Sequence, residues 1–172
     1  IWLPLNFNSP YKAHNIIEFW RRWHMTLSRF MRDYLYVPLG GSRKGKILQL
    51  RNLFLTMLLG GLWHGAGWTF VVWGGLHGLC LAINHLWHNI KQRIGGNPEH
   101  KVWWRIWFAR LFTFLLISCL WVIFRAENMG VALTILKSMF GINDSSEILS
   151  TNIKHNSDRL IACLILVWFA PN

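Results

Sequence analysis

The sequence predicts an all-α, polytopic integral membrane protein, and two observations carry that prediction. Of the 172 residues, 53% are hydrophobic, with 12 Trp and 11 Phe, and these residues gather in long apolar runs. Basic loops separate the runs, and the chain holds 18 Lys and Arg against only 7 Asp and Glu. Apolar spans joined by positive loops are typical of multi-pass membrane proteins whose basic loops face the cytoplasm.

The same composition excludes other classes. The net charge of +11 is spread between apolar runs, whereas a nucleic-acid-binding protein concentrates it on one soluble domain. Cys80, Cys119 and Cys163 stand far apart in apolar runs and predict neither a disulfide nor a metal site. Because no initiator Met or signal peptide opens the chain, we expect residues 1–172 to be the middle and C-terminal part of one larger membrane domain.

The first predicted helix follows a loop over residues 1–13 and runs from Asn15 to about Tyr36. Asn15 followed by Glu18 is typical of a capping box. On a helical wheel, the apolar side chains occupy one half and the charged ones a single arc, namely Glu18, Arg21, Arg22, Arg29, Arg32 and Asp33. This pattern predicts an amphipathic helix lying in the membrane interface. His24 falls on its apolar side and is expected to point inward, in a structural or a functional role.

A basic loop and a hairpin come next. Residues 39–51 carry four cations and no acid, which places the loop on the cytoplasmic side. The uncharged run after Asn52 leads to His64 among glycines, and Trp68–Trp87 is long enough for one span back. The first arm is too short to cross alone, so we predict a broken or re-entrant helix whose turn carries His64 at mid-membrane. An ionisable group at that depth is a candidate functional site, the alternative being a core histidine satisfied by a backbone carbonyl.

The returning helix has a polar stripe, formed by His77, Asn84, His85 and His88. The stripe either lines a polar passage or packs against other helices, and without a carboxylate or cysteine partner no metal is expected there. Gly74 and Gly78 form a small-xxx-small pair that allows another helix to approach closely.

The last part of the chain contains the clearest transmembrane helix, Trp103–Phe124. Beyond it, Gly130, Gly141 and the polar stretch 143–158 predict a long hydrophilic connection, and a final apolar run follows Arg159.

Three motifs resemble the membrane-bound O-acyltransferase family, and within it the bacterial proteins of alginate and other polysaccharide O-acetylation. They are FWRRWHMTLSRFMRDYLYVPLGGSRKG at 19–45, NLFLTMLLGGLWHGAGWTFVVWGGLHG at 52–78 and WVIFRAE at 121–127. The resemblance implies that His64, in the LWHG motif, is catalytic and that His24, in the RWH motif, is the second important histidine. The PLGGSRKG form favours polysaccharide acetylation over the related transfer of D-alanine to teichoic acid.

The resemblance also implies a reaction and its setting. The donor is a cytoplasmic thioester such as acetyl-CoA, the acceptor is an extracytoplasmic polysaccharide, and a periplasmic partner protein is expected, with no tightly bound cofactor. The protein is then a multi-pass protein of the bacterial inner membrane. A neutral His64 imidazole can act as general base, or it can form an acyl-histidine intermediate. His24 can orient the substrate or stabilise the oxyanion.

Charged residues near the cytoplasmic face are candidates for donor binding. They are Arg21, Arg22, Arg43 and Lys44, with His77 as a further candidate. Anionic lipid headgroups account for the same cations equally well.

Two other classes remain open. A transporter or channel also uses broken helices and polar stripes, but it distributes polar groups along several helices, whereas here they concentrate at His64 and the stripe. An inactive structural member of the family would have lost a motif histidine, and both His24 and His64 are present.

Overall fold

The structure, a computed structural model, describes residues 4–94 and 103–142, together with residues 163, 164, 167 and 168. All regular elements in this part of the chain are helical, which confirms the predicted all-α class for it. A 3-10 turn, Pro10–Lys12, precedes the first α-helix, and a π-helical turn, Arg32–Tyr36, continues the second. The α-helices are α1 (Ile16–Arg22), α2 (Met25–Met31), α3 (Lys46–His64), α4 (Trp68–Arg93), α5 (Trp103–Arg125) and α6 (Met129–Met139).

Two of these helices, α4 with 26 residues and α5 with 23, are long and apolar enough to cross a membrane. The mean hydropathy of their most apolar stretches is 1.2 and 2.1, respectively. Large apolar side chains stand exposed on α5, among them Phe108 and Phe112. Lipid is the solvent in which such a surface is stable.

The hairpin of α3 and α4 is held by glycines where the two helices approach each other. A Cβ atom on Gly74 would lie 2.5 Å from the carbonyl oxygen of Met57, and one on Gly78 would lie 2.9 Å from the Cα of Phe54. The predicted close approach at this glycine pair is therefore confirmed, and α3 is the helix that approaches.

The prediction of a broken first arm is wrong, because α3 is one continuous helix of 19 residues. It begins at Lys46 rather than at Asn52 and is thus about 28 Å long. The helix is not unwound at Gly60 and Gly61. The absence of side chains at these two positions leaves room for Met31 and for Gly74 of α4. The turn was predicted to carry His64, but His64 is the last residue of α3 and the turn begins after it, whereas the returning helix does begin at Trp68 as predicted.

The prediction of a single helix from Asn15 to Tyr36 is also wrong, because the helix is interrupted between α1 and α2. His24 has left-handed backbone angles, φ 43° and ψ 56°. The segment 6–8 bridges the gap: the amide of Asn8 donates to the carbonyl of Arg22, and the amide of Met25 donates to the carbonyl of Asn6, both at 2.9 Å. The break is stable because these long-range hydrogen bonds replace the helical ones.

The start of α1 agrees with the sequence. The Asn15 side chain accepts a hydrogen bond from the amide of Glu18 at 2.8 Å, while the Glu18 carboxylate accepts from the amide of His14 instead of Asn15. Ile16 and Phe19 on the inner face of α1 are buried. The pair α1 and α2 thus packs its apolar side onto the helices behind it, while Arg21, Arg29 and Arg32 stay exposed.

The predicted connection after α5 contains a helix, α6, which the sequence analysis missed. The Asn128 side chain caps it by accepting a hydrogen bond from the amide of Val131 at 2.9 Å. Gly130 lies in its first turn, outside the helix interior where the conformational freedom of a glycine costs about 1 kcal/mol. The polar stretch 143–158 lies outside the described residues, as does most of the apolar run after Arg159.

Candidate functional site

His24 and His64, forty residues apart in the sequence, line one cavity. We call it the histidine cavity; it encloses about 200 Å³. It lies where the break between α1 and α2 faces the end of α3, the first two turns of α4 and the last two turns of α5. Apart from the two histidines, the side chains that line it are apolar or aromatic: Trp20, Trp23, Leu27, Trp73, Trp121 and Phe124.

His64 is the last residue of α3, and aromatic rings hold its imidazole on three sides. Its ring is edge-on to Trp73 and Phe124, with centroids 5.5 and 5.2 Å apart, and roughly parallel to Phe70 at 6.4 Å. Within the described part of the chain its ring nitrogens have no hydrogen-bond partner. They are therefore free to exchange a proton with a bound substrate.

The glycine after His64 is needed for space. A Cβ atom on Gly65 would lie 2.7 Å from the Phe70 ring, so any other residue would displace a ring that packs against His64. Gly65 is extended, with φ 161°, so backbone freedom is not the reason for a glycine here. Gly65 therefore makes room for the Phe70 ring that packs against His64.

His24 owes its place to the break. Its left-handed conformation is unusual for a residue with a Cβ and is stable only where the surroundings impose it. Thr26 donates its hydroxyl proton to the Asn6 side chain at 2.9 Å, so its oxygen is left as an acceptor 3.5 Å from His24 Nδ1. At this distance, the limit for a hydrogen bond, the contact does not fix the tautomer, so either ring nitrogen of His24 can carry the proton.

The four predicted donor-binding cations lie away from the histidine cavity. Arg21 is exposed on α1, and Arg43 and Lys44 are exposed in the loop before α3. Arg22 forms an ion pair with Glu18. None of the four lines the cavity. If they bind a donor, they must contact the part of the donor that lies outside the cavity.

His77 is fully buried, with 0% of its surface exposed. Its Nδ1 accepts a hydrogen bond from Trp20 Nε1 at 3.2 Å. It therefore stands behind the wall of the histidine cavity and does not line it.

The sequence analysis missed the aromatic residues of α4 and α5 that complete the cavity. Trp73 is 3% exposed and packs its ring 6.0 Å from that of Trp121. Trp121 in turn lies 5.0 Å from Trp23 at the break. Two signals pointed to them, because Trp73 precedes His77 by one helical turn and Trp121 opens the WVIFRAE motif.

Residues 1–125 match the family model described as MBOAT, the membrane-bound O-acyltransferase family. The chain belongs to the membrane-bound O-acyltransferase family. It is 49% identical over 146 residues to a peptidoglycan O-acetyltransferase of Helicobacter pylori, which covers 85% of the chain and 27% of that protein. It is 51% identical over 165 residues to a probable alginate O-acetylase of Pseudomonas fluorescens, which covers 96% of the chain and 31% of that protein.

A more distant member of the family is a teichoic acid D-alanyltransferase of Streptococcus thermophilus, 34% identical over 105 residues, which cover 57% of the chain and 25% of that protein. The chain thus spans about three-tenths of the length of the two O-acetylating relatives. Both motif histidines of the family resemblance lie in the region that the family model matches, and the structure brings them to one cavity.

Proposed function

We propose that the protein is a membrane O-acyltransferase that moves an acetyl group from a cytoplasmic thioester, such as acetyl-CoA, toward a polysaccharide outside the cytoplasm, either to its hydroxyl group directly or through a hydroxyl group of a partner protein. The observation that carries the proposal is the convergence of His24 and His64 on one aromatic cavity. Two relatives of about half identity are named for O-acetylation of peptidoglycan and of alginate. Lower identity to the D-alanyltransferase favours acetyl over D-alanyl transfer.

The reaction requires one proton acceptor near the attacking hydroxyl. His64 takes the hydroxyl proton as the oxygen attacks the thioester carbonyl carbon. The carbon–sulfur bond then breaks, and the imidazolium returns the proton to the departing thiolate. Atoms and charge balance without a tightly bound cofactor, and the side chains around the two histidines are apolar or aromatic.

His24 faces the same space from the opposite side, on the interfacial helices. Its role in the proposal is to donate a hydrogen bond to the oxyanion that forms on the carbonyl oxygen, or to orient the acceptor hydroxyl. The exposed cations Arg21, Arg43 and Lys44 attract the phosphates of the donor to the membrane surface. A second, periplasmic protein completes delivery to the polymer, and the site of action is the bacterial inner membrane, which the chain crosses several times.

The test is transfer of radiolabelled acetyl from acetyl-CoA to de-O-acetylated alginate or peptidoglycan fragments by membranes that contain the full-length protein. The His64→Gln variant should accumulate normally and lose at least about a hundredfold in rate, since an amide is not a base at neutral pH. His88→Gln is the matched control, because His88 is exposed on α4 beside Gln92 and should keep the normal rate. Retention of most of the rate by His64→Gln at equal protein level would refute the assignment.

A further inference from the structure

Trp20 separates the histidine cavity from a second cavity. That second space, which we call the apolar groove, encloses about 290 Å³ between α2, α3 and α4. Its lining includes Ser28, Met31, Tyr36, Leu53, Met57 and Leu81. Among the described residues, Trp20 is the one that lines both the groove and the histidine cavity. The indole of Trp20 is therefore the partition between them.

The partition is fixed by a buried hydrogen bond. Trp20 Nε1 donates to His77 Nδ1 at 3.2 Å, and the two rings meet edge to face at 5.1 Å. Trp73 packs against both rings, 6.1 Å from Trp20 and 4.7 Å from His77. Because an indole nitrogen only donates, Nδ1 of His77 must be the unprotonated nitrogen.

Packing alone does not account for a histidine at this position. With Nδ1 as the acceptor, the proton lies on Nε2, which is buried and has no hydrogen-bond partner in the part of the chain that the structure describes. A leucine would fill a similar volume without burying an unpaired N–H group. What the histidine adds is the acceptor that orients Trp20.

The histidine cavity must hold the thioester carbonyl and the acceptor hydroxyl together. Its volume of about 200 Å³ leaves room for a short acyl group beside them. A longer apolar chain would need the adjoining groove, whose lining is also largely apolar, and Trp20 stands in that path.

We propose that His77 is a positioning residue: its hydrogen bond holds Trp20 between the apolar groove and the histidine cavity and thereby restricts the enzyme to short acyl groups. The restriction to short acyl groups rests on the proposed acyl transfer. The separation of the two cavities by Trp20 can be measured without any transfer.

The partition is tested by placing a single cysteine at Leu27, in the histidine cavity, in a full-length protein without other cysteines. Hexyl and methyl methanethiosulfonate compete to label it. His77→Leu should raise the ratio of hexyl to methyl labelling at least about threefold, the factor that the loss of one hydrogen bond implies. Trp20→Phe removes the donor of the same hydrogen bond and should raise the labelling ratio by the same factor. The double variant, with both substitutions, should give a ratio no higher than either single variant.

His77→Asn is the rescue variant, because its amide oxygen sits close to the place of Nδ1, and it should keep the ratio within about twofold of the unsubstituted protein. An unchanged ratio in Trp20→Phe, or effects that add in the double variant, would overturn the proposal. If His77→Leu fails to accumulate, Trp20→Phe decides alone.

The effect on specificity is measured by transfer from hexanoyl-CoA and acetyl-CoA at equal protein level. The hexanoyl to acetyl ratio of kcat/KM should rise at least about threefold in Trp20→Phe, whereas a purely structural role would lower both rates equally and overturn the specificity claim. If labelling changes as expected but no variant and no unsubstituted protein transfers any acyl group, the proposed function fails and the partition stands.

Discussion

The side-chain amide of Asn52 donates a hydrogen bond to the carbonyl oxygen of Gly41 at a distance of 3.0 Å. Asn52 is fully buried on α3, and Gly41 is buried in the basic loop before it. Arg51 donates to the amide oxygen of the same side chain, so both ends of the amide are satisfied. The loop is thus held against α3 by one buried side chain.

Asn52→Leu should therefore destabilise the protein by about 1–3 kcal/mol, because it leaves the buried Gly41 carbonyl without its donor. Thermal unfolding in detergent measures the change. The control is Asn89→Leu, since the Asn89 side chain makes an exposed contact with Lys46 at 3.4 Å and its loss should change stability by less than about 0.5 kcal/mol. Equal midpoints for the two variants would contradict the role given to Asn52.

Two adjacent glycines of α4 should respond in opposite ways to alanine. Gly74→Ala should destabilise the hairpin by about 1–3 kcal/mol, because the new Cβ would lie 2.5 Å from the backbone carbonyl oxygen of Met57. At Gly75 the new Cβ would meet Leu58 at 3.7 Å, an ordinary contact, so Gly75→Ala should be neutral or stabilise by up to about 1 kcal/mol. Circular dichroism during heating compares the two, and a similar loss in both would mean that the helices do not cross at Gly74.

The backbone and the side chain of His24 can be tested separately. Asn tolerates left-handed angles, so His24→Asn should accumulate normally yet lose about a hundredfold in transfer rate, because its shorter side chain does not reach the position of the imidazole nitrogens. His24→Val places a β-branched residue at φ 43° and should also lower stability by about 1–2 kcal/mol. Immunoblots of membranes and the radiolabel assay give the two readouts. Normal activity in His24→Asn would remove His24 from the mechanism.

The lowered pKa of Glu18 predicts that acid reduces the stability of the start of α1. Burial alone would raise its pKa, but the hydrogen bond from the His14 amide and the charges of His14 and Arg22 outweigh it, so the pKa of the carboxyl lies below its ordinary value of 4.5. A lowered pKa stabilises the folded state fully above pH 4.5, and the contribution disappears as the pH falls through the folded-state value.

The expected result is that Glu18→Gln has a lower unfolding midpoint than the unsubstituted protein at pH 7 and that the difference shrinks below pH 4.5. Glu127→Gln, at an exposed position after α5, serves as the control and should follow the unsubstituted protein at both pH values. A difference that stays constant from pH 7 to pH 3.5 would show that the Glu18 charge does not contribute.

Local patterns predicted the parts of the fold that local interactions determine. The cap at Asn15, the long apolar helix α5, the start of the returning helix at Trp68 and the close approach at Gly74 all follow from neighbouring residues and helical spacing. The start of α3 was predicted six residues too late. A helical wheel or a hydropathy run gives little weight to charged residues such as Lys46 at the start of a helix.

Long-range contacts determine the remainder. A helical wheel assumes a continuous helix, so it could not anticipate that the segment 6–8 hydrogen-bonds both sides of the break before His24. The meeting of Trp23 and Trp121, nearly a hundred residues apart, is likewise invisible to any pattern within one helix.

The hydrogen bonds from the segment 6–8 give the site a mechanical property. Two backbone bonds, one to the carbonyl of Arg22 and one from the amide of Met25, connect this segment to both residues that flank the pair Trp23 and His24. A displacement of Asn6 would therefore also displace His24, because only a few peptide units connect the two. His64 is held separately, by the hairpin of α3 and α4. The segment 6–8 therefore sets the position of His24 relative to His64.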